Sequence, residues 1–370
     1  MKKIGIICEY NPFHNGHIYH IKKIKEMYSE CVIILVLGGN FTQRGEISLI
    51  DKWKKTDIAL NYVDLVIELP FCFASQSADL FCKGSIEILK HLKVDAVVFG
   101  SEENNIDKLK KIADIQETKE YNKLVRECLD KGINYPTAMS KAVYDLTKEV
   151  IKEPNDLLGL GYVKYLKGTG IKPISIKRTN NYLDEDLIGN ISSGTSIRKA
   201  LQNGKDVKKY VPNVTYKYLN NVKFIDDYFE LIKYRILSDD ISKYQTVDEG
   251  IENRVKKYIY ECNCVDELLD KLKTKRYTYN KLRRMLIHIL VGFTKDEASR
   301  MKDIRYIRVL GFNKKGQRYL NEIKKEIDLP IITNFKNDEM LNLERRGSDI
   351  YNLKKKDDPL CEHKHKPIIH

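Results

Sequence analysis

Glu9-Tyr10-Asn11-Pro12-Phe13-His14-Asn15-Gly16-His17 is the stretch on which the fold turns. The apolar run Lys3-Ile-Gly-Ile-Ile-Cys8 precedes it and predicts a buried strand. Ile18, Ile21, Ile24 and Met27 follow at helical spacing, so His14 to His17 falls where a strand hands over to a helix. Open α/β sheets bind ligands at such strand ends, and a helix N-terminus presents free N–H groups to an anion. Two imidazoles around a glycine can donate to phosphate oxygens there while the backbone approaches closely. The plain alternative is a turn carrying two surface histidines.

Outward from that stretch, strands and helices alternate. Cys31-Val-Ile-Ile-Leu-Val-Leu37 predicts a second buried strand, followed by Gly38-Gly39-Asn40 and the loop Asn40-Phe-Thr-Gln-Arg-Gly-Glu46. A helix opens near Asp51, Val63 to Leu69 is a third strand, and a helix from about Asp79 to His91 leads to a fourth, Val94 to Phe99. Residues 104–150 are helical and charged, Asn155 or Asp156 caps another helix, and Ile171 to Lys177 is a fifth strand. This alternation predicts a Rossmann-like parallel sheet wound in right-handed βαβ units. No Gly-x-Gly-x-x-Gly and no Gly-Lys-Ser/Thr loop occurs, so neither a dinucleotide fingerprint nor a P-loop is supported. Ile191-Ser-Ser-Gly-Thr-Ser-Ile-Arg198 places hydroxyls and a glycine before an apolar helix, a second cradle for an anion.

From about residue 205 the pattern changes to helical periodicity with tyrosines among lysines. The expected division is therefore 1–204, a nucleotide-binding catalytic part, and 205–370, a mainly helical basic part. The net charge of +13 is concentrated there: residues 271–320 hold 15 basic and 3 acidic residues. Such a face suits a polyanion, nucleic acid first, although a solvated helical face has the same composition. In Tyr277 to Leu290, Leu282, Leu286, Ile289 and Leu290 are expected inward, with Lys281, Arg283 and Arg284 largely outward. Val309 to Gly316 is expected to be a further basic loop.

Composition excludes several classes. An apolar share of 42% supports a real core, and Cys31 to Leu37, the longest apolar run, is too short to span a membrane. The chain enters a strand almost at once, leaving no room for a signal peptide, so a cytoplasmic protein is expected. Eight scattered cysteines, most within apolar runs, read as reduced thiols. Cys262 and Cys264 are too solitary for a zinc site. His363 and His365 beside Cys361 fit a basic tail better than a metal site, and no protein-bound metal is expected.

His14 to His17 and Thr195-Ser-Ile-Arg198 resemble the two signatures of the His-x-Gly-His nucleotidyltransferase superfamily. The long run Glu9 to His17, Gly39-Asn-Phe-Thr-Gln-Arg-Gly-Glu46, Pro154-Asn-Asp-Leu-Leu-Gly159, Lys275-Arg-Tyr-Thr278 and Lys366-Pro-Ile-Ile369 narrow the match. Together they resemble the tRNA(Met) cytidine acetate ligase family nearly end to end. One departure is Ser193-Gly194-Thr195-Ser196, where the family has a Ser-Ala-Thr-Ala-like segment; hydroxyls are still supplied.

The resemblance implies activation of acetate by ATP to acetyl-adenylate with release of pyrophosphate. The acetyl group then passes to N4 of the wobble cytidine of elongator tRNA(Met), giving N4-acetylcytidine. It further implies ATP contacts with Ile7, Cys8, Glu9, Tyr10, Asn11, Pro12, Phe13, His14, Asn15, Gly16, His17, Ile18, Tyr19 and His20, and with Gly100, Asn155 and Arg178. Acetate is itself the nucleophile, so the protein has only to align the ions and stabilise developing charge. His14 and His17 are placed near the reacting phosphate, Thr195, Ser196 and Arg198 at the β/γ end, with Mg²⁺ expected on the nucleotide. Gln43 and Arg44 are candidates to position acetate or phosphate, unless Arg44 simply pairs with Glu46. Arg276, Lys281, Arg283 and Arg284 are the candidates for contacts to the RNA backbone, the cytidine being unstacked from a single-stranded loop. Rival readings are an adenylyltransferase of the same fold acting on a small metabolite, an acetate ligase acting on a carrier-protein thiol, and a non-catalytic RNA-binding protein.

Overall fold

Every side chain of the strand Cys31–Gly38 is buried, and its two faces separate by parity. Val32, Ile34 and Val36 enter one apolar core, Ile33, Leu35 and Leu37 the other. A strand that is apolar on both faces belongs in the middle of a sheet covered by helices on both sides. That is its position in the computed structural model, which describes residues 1–178, 191–354 and 361–370.

The first part of the chain runs β1 (Lys2–Cys8), α1 (Asn15–Met27), β2 (Cys31–Gly38), α2 (Lys52–Ala59), β3 (Leu65–Leu69), α3 (Phe71–Ala74), α4 (Ala78–His91) and β4 (Ala96–Ser101). It continues through α5 (Ile106–Gln116), α6 (Lys119–Asp130), α7 (Tyr135–Thr147), α8 (Pro154–Leu166), β5 (Lys172–Lys177) and α9 (Gly194–Gln202). The parallel strands lie in the order β5-β4-β1-β2-β3. Successive connections move outward from β1 to β3, then return to β4 on the other side of β1. The switch point is therefore between β1 and β4, where a crevice opens at the carboxyl ends of the strands.

The five strands read from the sequence are all present, and residues 205–370 are mainly helical. The sheet nevertheless continues past residue 204. β6 (Ile307–Phe312) pairs antiparallel with β3, and β7 (Ile331–Ile332) and β8 (Ile368–Ile369) each pair parallel with β6. The expected basic loop Val309 to Gly316 is in fact the end of β6 and the start of the helix Lys314–Ile323. The misreading has a physical cause. Arg308 interrupts the apolar run, yet it is buried, its guanidinium paired with Glu68 at 2.9 Å and Glu362 at 2.5 Å.

Those pairs belong to a larger buried network. Lys52 of α2 reaches Glu68 at 2.5 Å, Glu362 at 2.8 Å and Glu344 at 3.7 Å. The late strands and the helix Glu339–Asn352 are thereby fastened to the first half. His365 stacks on Trp53 with ring centroids 4.3 Å apart, and His363 packs on Phe335 at the same distance, so both imidazoles serve packing. Among the described residues no helix is long and apolar enough to cross a membrane, and no group of His, Cys, Asp and Glu is arranged to hold a metal.

Candidate active site

At the switch point lies a cleft of about 210 Å³. The end of β1 and the loop after it form its floor, and Gly100, Asn155 and Arg178 form one wall. Of the residues expected at ATP, Ile7 to Pro12, His14, Gly16, His17, Tyr19, His20, Gly100, Asn155 and Arg178 all line it. Phe13, Asn15 and Ile18 are not in the lining. Phe13 is buried in ring contacts with Tyr10, His17 and Tyr62, and the Asn15 side chain donates to the Lys209 carbonyl at 2.9 Å.

His14 is the N-cap of α1, and its Nδ1 accepts the Gly16 N–H at 3.0 Å. The Nδ1 of His17 accepts the His14 N–H at 3.1 Å. Each ring therefore spends Nδ1 as an acceptor, which assigns the neutral ring's proton to Nε2 and leaves an Nε2–H donor. The glycine is required by packing, since a Cβ on Gly16 would meet the His14 ring at 2.8 Å. Burial first, then the charges of Arg178 and Arg198, brings His14 down to about 3. Burial, then His14 and Arg178, holds His17 well below its ordinary 6.5. Both rings are neutral donors at neutral pH, at a helix end with no acidic residue in its first turn. Three further polar atoms of cleft residues are buried without a hydrogen-bond partner among the described residues: Tyr10 Oη, Asn11 Nδ2 and His20 Nε2. Buried polar atoms are normally satisfied, so these are suited to a ligand.

Arg198 lines the cleft and binds three segments together. It donates to the Asn11 carbonyl at 2.8 Å, to Thr195 Oγ1 at 3.3 Å, and pairs with Glu46 at 3.1 Å. Ser196 stands one layer back. It is buried, 2.7 Å from the Ser193 hydroxyl that caps α9, so its geometry is that of a support for the helix end. On the opposite wall the Arg178 stem lies on Gly100, and Glu102 is 3.7 Å from Arg178 and accepts the Asn155 amide at 2.5 Å.

Gln43 and Arg44 also line the cleft. Gln43 N–H donates to Glu9 at 2.6 Å, and burial raises the Glu9 carboxyl. Lys55, which sequence reasoning missed, lies beneath this floor. Its ammonium donates to the carbonyls of Glu9, Gly38 and Gly39 at 2.8, 2.7 and 2.6 Å. Burial pulls it down to about 7, yet three carbonyls around one nitrogen match the three protons of the charged form. Leu158 and Tyr162 were missed as well. They share the face of α8 that carries Asn155, at i, i+3 and i+7, a spacing visible in the sequence.

The RNA candidates differ in placement. Arg276 is exposed, whereas Lys281 and Arg283 are half-buried, 3.9 Å from Asp248 and 3.3 Å from Asp266. Arg284, expected outward, turns inward and donates to the Gln43 carbonyl at 3.0 Å. There the helix Tyr279–Val291 meets Gly45, whose φ of +76° favours glycine and whose Cβ would sit 2.3 Å from the Arg284 nitrogen. The later half thus braces the cleft wall.

The buried imidazoles predict an acid-labile fold. His14 at about 3, and His20 and His288 at about 4, are all lowered by burial below 6.5. Between those values the unfolded chain takes up protons that the native state refuses, so stability falls as pH falls through that window. Thermal melting across pH 7 to 4 should show this. His288→Gln, outside the cleft, should flatten the slope; an unchanged slope would remove His288 from the explanation.

The family description HIGH Nucleotidyl Transferase matches residues 1–366. A tRNA(Met) cytidine acetate ligase of Caldicellulosiruptor saccharolyticus is 41% identical, the match covering 96% of this chain and 95% of that protein. One from Anoxybacillus flavithermus is 39% identical over 98% and 96%. The crystal structure of apo Thermotoga maritima TmcAL superposes with a TM-score of 0.93 at 29% identity, covering 100% of this chain and 99% of that one. The same protein bound with alpha-thio ATP superposes at 0.90, with the same identity and coverage. With a neutral His-Asn-Gly-His pair at the switch point and similarity along its whole length, this chain belongs to the HIGH nucleotidyltransferase family and, within it, to the tRNA(Met) cytidine acetate ligase family.

Proposed function

We propose that this chain joins acetate to ATP and transfers the acetyl group to the wobble cytidine of elongator tRNA(Met). The carrying observation is the meeting of Nε2–H donors from His14 and His17 with Arg178 and Arg198 around one cleft. An acetate oxygen attacks the α-phosphorus, the bond to the bridging β-oxygen breaks, and pyrophosphate leaves with acetyl-adenylate formed. The N4 amine of cytidine then attacks the acetyl carbonyl carbon, AMP departs, and the nitrogen loses one proton.

His14 and His17 donate to phosphate oxygens as charge develops, Arg178 and Arg198 balance the polyphosphate, and Asn11 and His20 supply further donors. Ser196 acts through the α9 cap. Magnesium would arrive on the nucleotide, held by phosphate oxygens and water. Residues 1–204 supply the activation site and residues 205–370 most of the basic surface for RNA, in a cytoplasmic setting.

The test is incubation of the protein with ATP, Mg²⁺, labelled acetate and total tRNA, followed by nucleoside analysis. Label in N4-acetylcytidine of elongator tRNA(Met) is expected. Pyrophosphate release with no label in tRNA would move the acceptor to a thiol or other group. No acetate-dependent reaction would overturn the proposal.

A further inference from the structure

Tyr135 opens α7 and is 56% exposed, an unusual position for a tyrosine in a chain that buries many of its aromatic rings. Among the described residues neither a cation nor a second ring covers it. Tyr144 and Tyr279 differ, with Lys148 over the first at 5.3 Å and Lys273 over the second at 5.6 Å, whereas Tyr234 and Tyr260 are exposed further still, at 69% and 72%. Beside Tyr135 two segments distant in sequence meet. The Asn134 amide donates to the Lys275 carbonyl at 3.1 Å, and the open Cβ position of Gly132 lies 4.0 Å from the Arg276 guanidinium. Lys275 and Arg276 are themselves exposed. Among the described residues an uncovered aromatic face thus sits next to the segment that carries two exposed cations.

This patch is close to the cleft along the helix Tyr279–Val291. From Thr278, which caps the helix after Arg276, to Arg284 at the cleft wall is six residues, about 9 Å of helix. Single-stranded nucleic acid is held by this pairing of chemistries, bases stacked on aromatic faces and phosphates on basic side chains. We propose that Tyr135, flanked by Lys275 and Arg276, is a stacking platform for an unpaired base of the RNA loop whose cytidine enters the cleft. It extends the RNA surface from the later half onto α7. The inference rests on the RNA reading above and adds to it a residue of the first half that no basic stretch marks.

The experiment measures binding of an RNA stem-loop carrying a fluorescent purine beside the loop cytidine, across a salt series. Tyr135→Ala should weaken binding roughly tenfold and relieve the quenching of the purine, and Tyr135→Phe, which keeps the ring face, should restore both. Arg276→Ala should lower the salt slope by about 1. Melting curves control for folding, which an exposed side chain should not disturb. If the wild type binds the stem-loop and Tyr135→Ala binds as well, the platform is wrong and the RNA reading stands. Should the wild type form acetyl-adenylate yet bind no RNA, or bind only an acidic carrier protein, platform and RNA reading both fall.

Discussion

His17→Ala should lower acetate-dependent ATP–pyrophosphate exchange by on the order of 10²–10³-fold, the usual cost of removing one donor aimed at developing charge. The substitution has two effects that need separating. It removes the Nε2–H donor, and it removes the Nδ1 acceptor of the His14 N–H at the start of α1. His17→Gln separates them, because a glutamine at the third helical position can still accept the N-cap N–H but carries no imidazole Nε2–H. His17→Gln should melt near the wild type and still lose exchange, whereas a purely structural role would spare exchange in that variant. The electrostatics give a second check. Both rings are held neutral well below 6.5, so the pH–rate profile of adenylate formation should show no histidine ionisation near 6.5. A limb there that vanished in His17→Ala would mean that the ring works as a proton carrier and not as a fixed donor.

How far the molecule was legible depends on what each residue buries. Ile4, Ile6, Val32 to Leu37 and Leu65 to Leu69 bury apolar side chains, and periodicity reports that directly, so the parallel sheet and the place of His14 and His17 could be read. Gly100, Asn155 and Arg178 are separated by dozens of residues and meet only because β4, α8 and β5 end at one edge; local pattern carries no such information, and they came from resemblance alone. Lys52, Lys55 and Arg308 went unnoticed for the opposite reason. They are buried cations, and a hydropathy pattern counts every cation as surface. Arg284 was placed outward by helical phase, yet the close approach at Gly45 pulls that side of its helix against the cleft loop.

Lys52→Met should destabilise the fold by about 3–5 kcal/mol, the range for removing one partner from a buried ionic network. Lys52 is fully buried, and without it Glu68, Glu344 and Glu362 are left with Arg308 as their cation in this network. Lys52→Arg should retain most of the stability, and Glu362→Gln placed in the Lys52→Met background should recover part of the loss, because it removes one uncompensated charge. The network also predicts a pH signature opposite in sign to that of the histidines. Burial first, and then the neighbouring Glu68, raises Glu344 to about 8. The native state therefore holds a proton that the unfolded chain releases near 4.5, and this contribution to stability is lost as pH rises from there through about 8. Glu344→Gln should flatten that alkaline decline. The consequence reaches the cleft through α2, because Lys55 lies three residues from Lys52 and holds the carbonyls of Glu9, Gly38 and Gly39. Lys52→Met should thus raise the KM for ATP as well as lower the melting temperature. A variant that melted early but kept its KM would show that the network fastens the late strands without reaching the floor of the active site.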